Sequence, residues 1–154
     1  MDDSIAIASD HAGFELKEFV RGYLSGHGYK VADLGTSNCD SVNYVDYGIK
    51  LGRGVSEGKY KRGVLICGTG IGMSMTVNRF RGIRGALCHD TLTARLSRLH
   101  NDANVLVLGG RLLGKGLVQD MIDTWLNTEF EGGRHQARLD KISEIEDNWS
   151  KGEC

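Results

Sequence analysis

Proline is absent from the 154 residues, so no X-Pro isomerisation step enters the folding of this chain. Charge of either sign is not in excess: 19 Lys and Arg balance 20 Asp and Glu, a formal net charge of −1. That balance supplies no basic field for nucleic acid and no acidic block of the kind found in disordered tails. Long hydrophobic runs are missing too. Stretches such as Gly63–Cys67 and Val105–Leu108 fall far short of the roughly 20 residues that span a bilayer. Cysteine is sparse, and Cys39, Cys67, Cys88 and Cys154 show no C-x-x-C spacing, which excludes a disulfide scaffold and fits a reduced, cytoplasmic setting. Nothing gives Cys39 or Cys154 a role beyond that of a plain thiol. The first ten residues are acidic and lack a basic leader, so no secretory signal is expected. At roughly 150 residues per domain, residues 1–154 are expected to form one domain.

Glycine, by contrast, is abundant: 22 residues, without a collagen-like period. Most stand at the ends of apolar runs, where a backbone turns tightly or approaches a ligand. The apolar runs alternate with helical spacing. Strands are expected at Ser4–Ser9, Tyr29–Leu34, Gly63–Cys67, Ile83–Cys88 and Asn104–Leu108. Helices are expected from Phe14 to Leu24, at Asn43–Val55, Met73–Arg79, Thr91–Leu99, Gly116–Leu126 and Gln136–Trp149. Near-continuously apolar strands alternating with helices predict an α/β fold: one Rossmann-like, three-layer domain with a five-stranded parallel sheet and helices on both faces. Ligands of such sheets bind beyond the carboxyl ends of the strands. Asp10 and His11 follow the first strand, Cys67–Gly72 the third, Cys88–Asp90 the fourth and Arg111 the fifth.

Cys67-Gly-Thr-Gly-Ile-Gly72 joins a strand to a helix, and its alternating glycines let successive amides converge on an anion. Cys67 at the head of the loop is either a small core residue or a thiol biased toward thiolate. A dinucleotide fingerprint needs its third glycine one residue further along and belongs after the first strand, so it does not fit. Asp10 is either a helix N-cap or, with His11, a pair of converging polar groups. Cys67, Cys88 and His89 are a conceivable metal set, though without helical ligand spacing. Arg134 and Arg138 would share a helix face with no acid three or four positions along that turn. They are either a solvated first turn or a site for an anion such as phosphate. Arg95 and Arg98 are expected to face solvent, and His100-Asn101-Asp102 to form a turn beyond a helix end.

Together these stretches resemble the ribose-5-phosphate isomerase B family, the sugar-phosphate isomerases that include galactose-6-phosphate isomerase. The matching segments are Ser9-Asp-His-Ala-Gly-Phe-Glu-Leu-Lys17, Cys67-Gly-Thr-Gly-Ile-Gly-Met-Ser74, Cys88-His-Asp90, Arg95–Leu106, Gly109-Gly-Arg111 and Phe130-Glu-Gly-Gly-Arg-His-Gln136. The resemblance implies aldose–ketose isomerisation of a sugar phosphate, ribose 5-phosphate by default, in the non-oxidative branch of the pentose phosphate pathway. It implies no metal and no organic cofactor. Under it Cys67 is the base that moves a proton between C1 and C2, and Gly68, Thr69, Gly70, Ile71 and Gly72 form an anion hole. His100, with Asp10 and Thr69, opens the sugar ring. Asn101 and Tyr44 contact hydroxyls, and His11, Arg111, Arg134 and Arg138 clamp the phosphate. The family is built of homodimers or dimers of dimers that share their active sites, with residues 136–149 at the dimer interface. Some branches carry a glutamate base where this chain has Ser74, which puts it on the cysteine branch. Asn43-Tyr-Val-Asp-Tyr47 and Arg81 each lack a proline usual in the family. A non-catalytic sugar-phosphate sensor, or one subunit of an unlike pair, is the competing reading.

Overall fold

A computed structural model describes residues 2–151 of the chain; Cys154 lies outside them. Five strands form one sheet: β1 (Asp2–Ser9), β2 (Val31–Asp33), β3 (Tyr60–Cys67), β4 (Gly85–Leu87) and β5 (Val105–Gly109). Six helices accompany them: α1 (Phe14–Gly26), α2 (Tyr44–Ser56), α3 (Ile71–Val77), α4 (Thr91–Asn101), α5 (Lys115–Asn127) and α6 (Gln136–Lys151). All strand pairs are parallel and the order is β2-β1-β3-β5-β4. Among the described residues no helix is long and apolar enough to cross a membrane.

The pleat of each strand sends alternate side chains to opposite faces, and both faces are buried. Ile5, Ile7, Val64, Ile66, Leu106 and Leu108 pack against α1, α4 and α5 around Trp125. Ala6, Ala8, Leu65, Cys67, Val105 and Val107 pack against α2 and α3 through Leu51, Val55, Met73 and Val77. The expected three-layer architecture is therefore present. The glycines of α2, which weaken it as an isolated helix, are explained by contact: a Cβ on Gly52 would stand 2.6 Å from the Phe80 ring.

Since α1 leaves β1 toward one face and α3 leaves β3 toward the other, the chain parts between the carboxyl ends of β1 and β3. Such a switch point opens a crevice. Gly13 lets the two strand ends close together there, because a Cβ on it would meet the Ile66 carbonyl oxygen at 2.6 Å.

Four sequence expectations need correction. The second strand is confined to Val31–Asp33, where β1 offers hydrogen-bonding partners. The fourth, expected over Ile83–Cys88, is confined to Gly85–Leu87, where β5 does the same. His100 and Asn101 are not a turn but the last residues of α4, and the turn residue is Asp102, in the left-handed region at φ 44°. Arg98 does not face solvent. It is 6% exposed, its Nη1 donates to the Ala103 carbonyl at 2.7 Å, and it pairs with Asp102 at 2.8 Å. Arg84 grips Asp102 from the other side at 2.7 Å, so two guanidiniums hold the corner between α4 and β5.

Candidate active site

The crevice at the carboxyl ends of β1, β3 and β5 is a cleft of about 500 Å³. Asp10, His11, Tyr44, Cys67, Gly68, Thr69, Ile71, Gly72 and Arg111 line it, together with Ala12 and Met75, which sequence reasoning had not singled out. Asp10 caps the short 3-10 turn at His11–Gly13, its carboxylate accepting from the Gly13 amide at 2.9 Å. The N-cap reading of Asp10 is thus met, and the residue also faces the cleft. The Val42 amide donates to Nδ1 of His11 at 3.2 Å, which leaves Nε2 of the neutral ring to carry its hydrogen.

The loop after β3 is fastened to β5: Gly110 N donates to Cys67 O at 2.7 Å and Arg111 N to Gly68 O at 3.0 Å. The Arg111 side chain accordingly lies over Gly68. Gly70 adopts φ 81°, a conformation that L side chains resist, and this turns its amide onto the Cys67 sulfur at 3.1 Å. Thr69 stands exposed at the loop tip and its Oγ1 accepts from the Ile71 amide at 3.4 Å.

Cys67 and Cys88 pack on opposite faces of the sheet, so with the exposed His89 they make no common ligand set. Burial, partly offset by hydrogen bonds from Thr93 and Ser97, pushes the Cys88 thiol up.

The remaining candidates, His100, Asn101, Arg134 and Arg138, are not in this cleft. α4 starts beside the carboxyl end of β4 and runs back to the amino edge of the sheet, so its last two residues emerge opposite the cleft. Gly63, level with Val105, and Cys67, level with Gly109, bracket four strand steps, roughly 13 Å at about 3.3 Å each. At that far edge the His100 ring stacks on His135, centroids 4.2 Å apart and planes 12° apart. Asn101 lines a groove shared with Leu139 and Ile142 of α6. Arg134 donates from Nε to Nε2 of His135 at 3.4 Å, and Arg138, exposed, follows one turn later. Burial above all, then the charges of His100 and Arg134, holds the His135 imidazole below its ordinary value. His100, Glu131 and His135 are donor types that a cation could use. The two arginines, however, make the local field one for an anion. Glu131 and His135 stand within the Phe130–Gln136 motif without a role legible from the sequence, because the burial of His135 and its stacking on His100 follow from tertiary contact.

The fold and cleft define an α/β enzyme class in which a thiol, a carboxylate and a guanidinium meet beside a glycine loop. Residues 5–142 match the family model described as Ribose/Galactose Isomerase. The chain is 42% identical to Ribose-5-phosphate isomerase B of Escherichia coli, covering 92% of this chain and 95% of that protein. It is 40% identical to D-erythrulose-4-phosphate isomerase of Pectobacterium atrosepticum, over 93% and 95% of the two chains. The solved structure of Clostridium thermocellum Ribose-5-Phosphate Isomerase B superposes with a TM-score of 0.93 at 48% identity, covering 95% of this chain and 99% of that one. The chain belongs to the ribose/galactose isomerase family of sugar-phosphate isomerases.

Proposed function

We propose that the protein interconverts D-ribose 5-phosphate and D-ribulose 5-phosphate through a cis-enediolate, with Cys67 as the base. The observation that carries this reading is the Cys67 sulfur at the cleft wall, held under the Gly70 amide. A thiolate there takes the proton from C2 of the open-chain aldose and returns it to C1. The O1 and O2 positions exchange carbonyl and hydroxyl character as it does so. The amides of the loop at Gly68–Gly72, with Thr69, bind the oxygen on which charge develops, the task that preorganised donors perform best. Asp10 and His100 open the furanose ring first, and Tyr44 and Asn101 hold sugar hydroxyls. His11, Arg111, Arg134 and Arg138 bind the phosphate.

The separation of His100, Asn101, Arg134 and Arg138 from Cys67 supports a shared site: in a homodimer, or a dimer of dimers, the far edge of one subunit completes the cleft of its partner. A two-fold axis would then make two such sites per dimer. Ile142, Ile145 and Trp149 leave an apolar stripe exposed on α6, 45%, 52% and 56% accessible, which supports residues 136–149 as part of the interface.

The test is the initial rate of ribulose 5-phosphate formation from ribose 5-phosphate in EDTA. Turnover on the order of 1–10³ s⁻¹ is expected. Its absence from a folded oligomer moves the substrate to a tetrose phosphate, the reading favoured by the likeness to the erythrulose-4-phosphate enzyme, or to allose or galactose 6-phosphate. Failure on all of these leaves the non-catalytic sugar-phosphate-binding subunit.

A further inference from the structure

Among the described residues other than glycine, Asp102 alone holds a positive φ, at 44°, where it closes α4 two residues after His100. Helices that end in this left-handed conformation mostly use glycine there, because a side chain is strained in it. Asp102 accepts the strain, and its carboxylate is gripped from two sides. Arg98 Nη1 reaches Oδ1 at 2.8 Å and Arg84 Nη2 reaches Oδ2 at 2.7 Å. Arg84 Nε also donates to the Asp102 carbonyl at 2.9 Å, so backbone and side chain are held together.

The two guanidiniums tie this corner to its surroundings. Arg98 donates from Nη1 to the Ala103 carbonyl at 2.7 Å and from Nε to the Thr128 carbonyl at 3.4 Å. Thr128 follows α5 and opens the segment that carries Arg134. Arg84 stands directly before β4, and its amide donates to the Asn104 side chain at 2.8 Å. Apolar replacement of a buried ion pair is often neutral for stability, so the fold alone does not demand this arrangement. What the three charged groups add is a single geometry for the helix end, since charge-assisted hydrogen bonds are directional where apolar contacts are not.

We propose that Asp102 is a positioning residue: bound by Arg84 and Arg98, its carboxylate fixes where His100 emerges at the end of α4. The inference rests on the isomerase reading, in which His100 meets the sugar. The His100 ring lies on His135 with centroids 4.2 Å apart, so a shift of the helix end displaces the ring directly. A displacement of about 1 Å is enough to cost roughly 10²-fold in rate. Asp102 acts on the reaction only through the helix end that it closes.

The test replaces Asp102 in two ways. Asp102→Gly keeps the left-handed turn and removes the carboxylate, whereas Asp102→Asn tolerates the same turn and keeps one side-chain oxygen for a guanidinium. Turnover of ribose 5-phosphate should fall roughly 100-fold in Asp102→Gly and about 10-fold in Asp102→Asn. In a chain that already carries His100→Gln, assayed at high enzyme concentration, either change should cost less than about threefold, because an effect exerted through His100 is lost only once. Equal losses in the two backgrounds mark a merely structural role and overturn the proposal, as does the absence of any loss. If Asp102→Gly does not fold, Asp102→Asn carries the same comparison.

A readout independent of turnover is the His100 ring itself. Its carbon-bound protons, assigned by NMR with His100→Gln, carry the ring-current shift of the stacked His135. With the pH held fixed, Asp102→Gly should move those resonances toward free-histidine positions, and Asp102→Asn should move them less. Unmoved resonances overturn the proposal whatever the enzyme proves to act on. Moved resonances in a protein that isomerises no sugar phosphate leave the positional relationship standing and reject the isomerase reading alone.

Discussion

The Gly70 amide and the Cys67 sulfur stand 3.1 Å apart because Gly70 occupies the left-handed region, at φ 81°. An L side chain at Gly70 would lose that conformation and press its Cβ to 2.5 Å from Leu87 Cδ1. Gly70→Ala should therefore cost at least about 1–2 kcal/mol of stability from the backbone alone. Turnover should fall further than stability suggests, by about 10²-fold, as one oriented donor is lost. Melting curves and initial rates on one preparation separate the two effects.

Replacing the sulfur tests the base itself. Cys67→Ser should lower kcat by roughly 10²–10⁴, the range for a displaced acid–base group, while calorimetric binding of ribose 5-phosphate survives. Retention of most of the wild-type kcat assigns the proton transfer to another group.

A shared site predicts complementation. Cys67→Ser and His100→Gln should each be nearly inactive alone. Mixed after dissociation in equal amounts, they should recover about a quarter of wild-type activity, since half the dimers are mixed and each holds one intact site. No recovery, with mixed dimers demonstrated by mass spectrometry, would place both residues in one subunit's site.

Two titrating groups predict acid sensitivity in separate windows. The folded chain holds His135 below its ordinary value, so the unfolded chain binds the proton more readily. Stability from this residue is complete above about pH 6.5 and drains as pH falls through the lowered folded value. Calorimetry between pH 7.5 and 5.5 should show a falling Tm whose slope is reduced in His135→Gln. Glu18 acts lower: hydrogen bonds from Arg21 and then Lys17 hold it at about 2, against 4.5 ordinarily. Its contribution is present above pH 4.5 and lost as pH falls toward about 2, so Glu18→Gln should flatten the acid limb only there.

The sheet and its helices were legible in the sequence because both faces of β1, β3 and β5 are buried, and burial on two sides writes an unbroken apolar run. The short β2 was overread: Val31 and Ala32 carry the same apolar mark as their neighbours, and only pairing with β1 ends the strand at Asp33. At the site, the glycine loop and Asp10-His11 were readable as local patterns. Arg98 was not, since a guanidinium on a charged helix reads as solvated until the Ala103 carbonyl and Asp102 come to meet it. Nor could spacing reveal that His100 and Cys67 stand at opposite edges, because that depends on which way α4 runs against the sheet. The contacts of Glu131 were hidden for a similar reason: its neighbours His100 and His135 are 31 and 4 positions away, and only the first is joined to it by the fold alone.

The helix α4 begins at one rim of the sheet and ends at the other, eleven residues that measure roughly 16 Å at about 1.5 Å each. It acts as a ruler between two surfaces. One inserted residue would carry His100 forward by about 1.5 Å and swing it by about 100° around the axis, away from His135 and Glu131. Substitutions on its exposed face should be absorbed with little loss, whereas a single insertion or deletion should silence the protein without unfolding it. The quantity under constraint in this segment is a length, and a sequence can drift a long way while holding a length fixed.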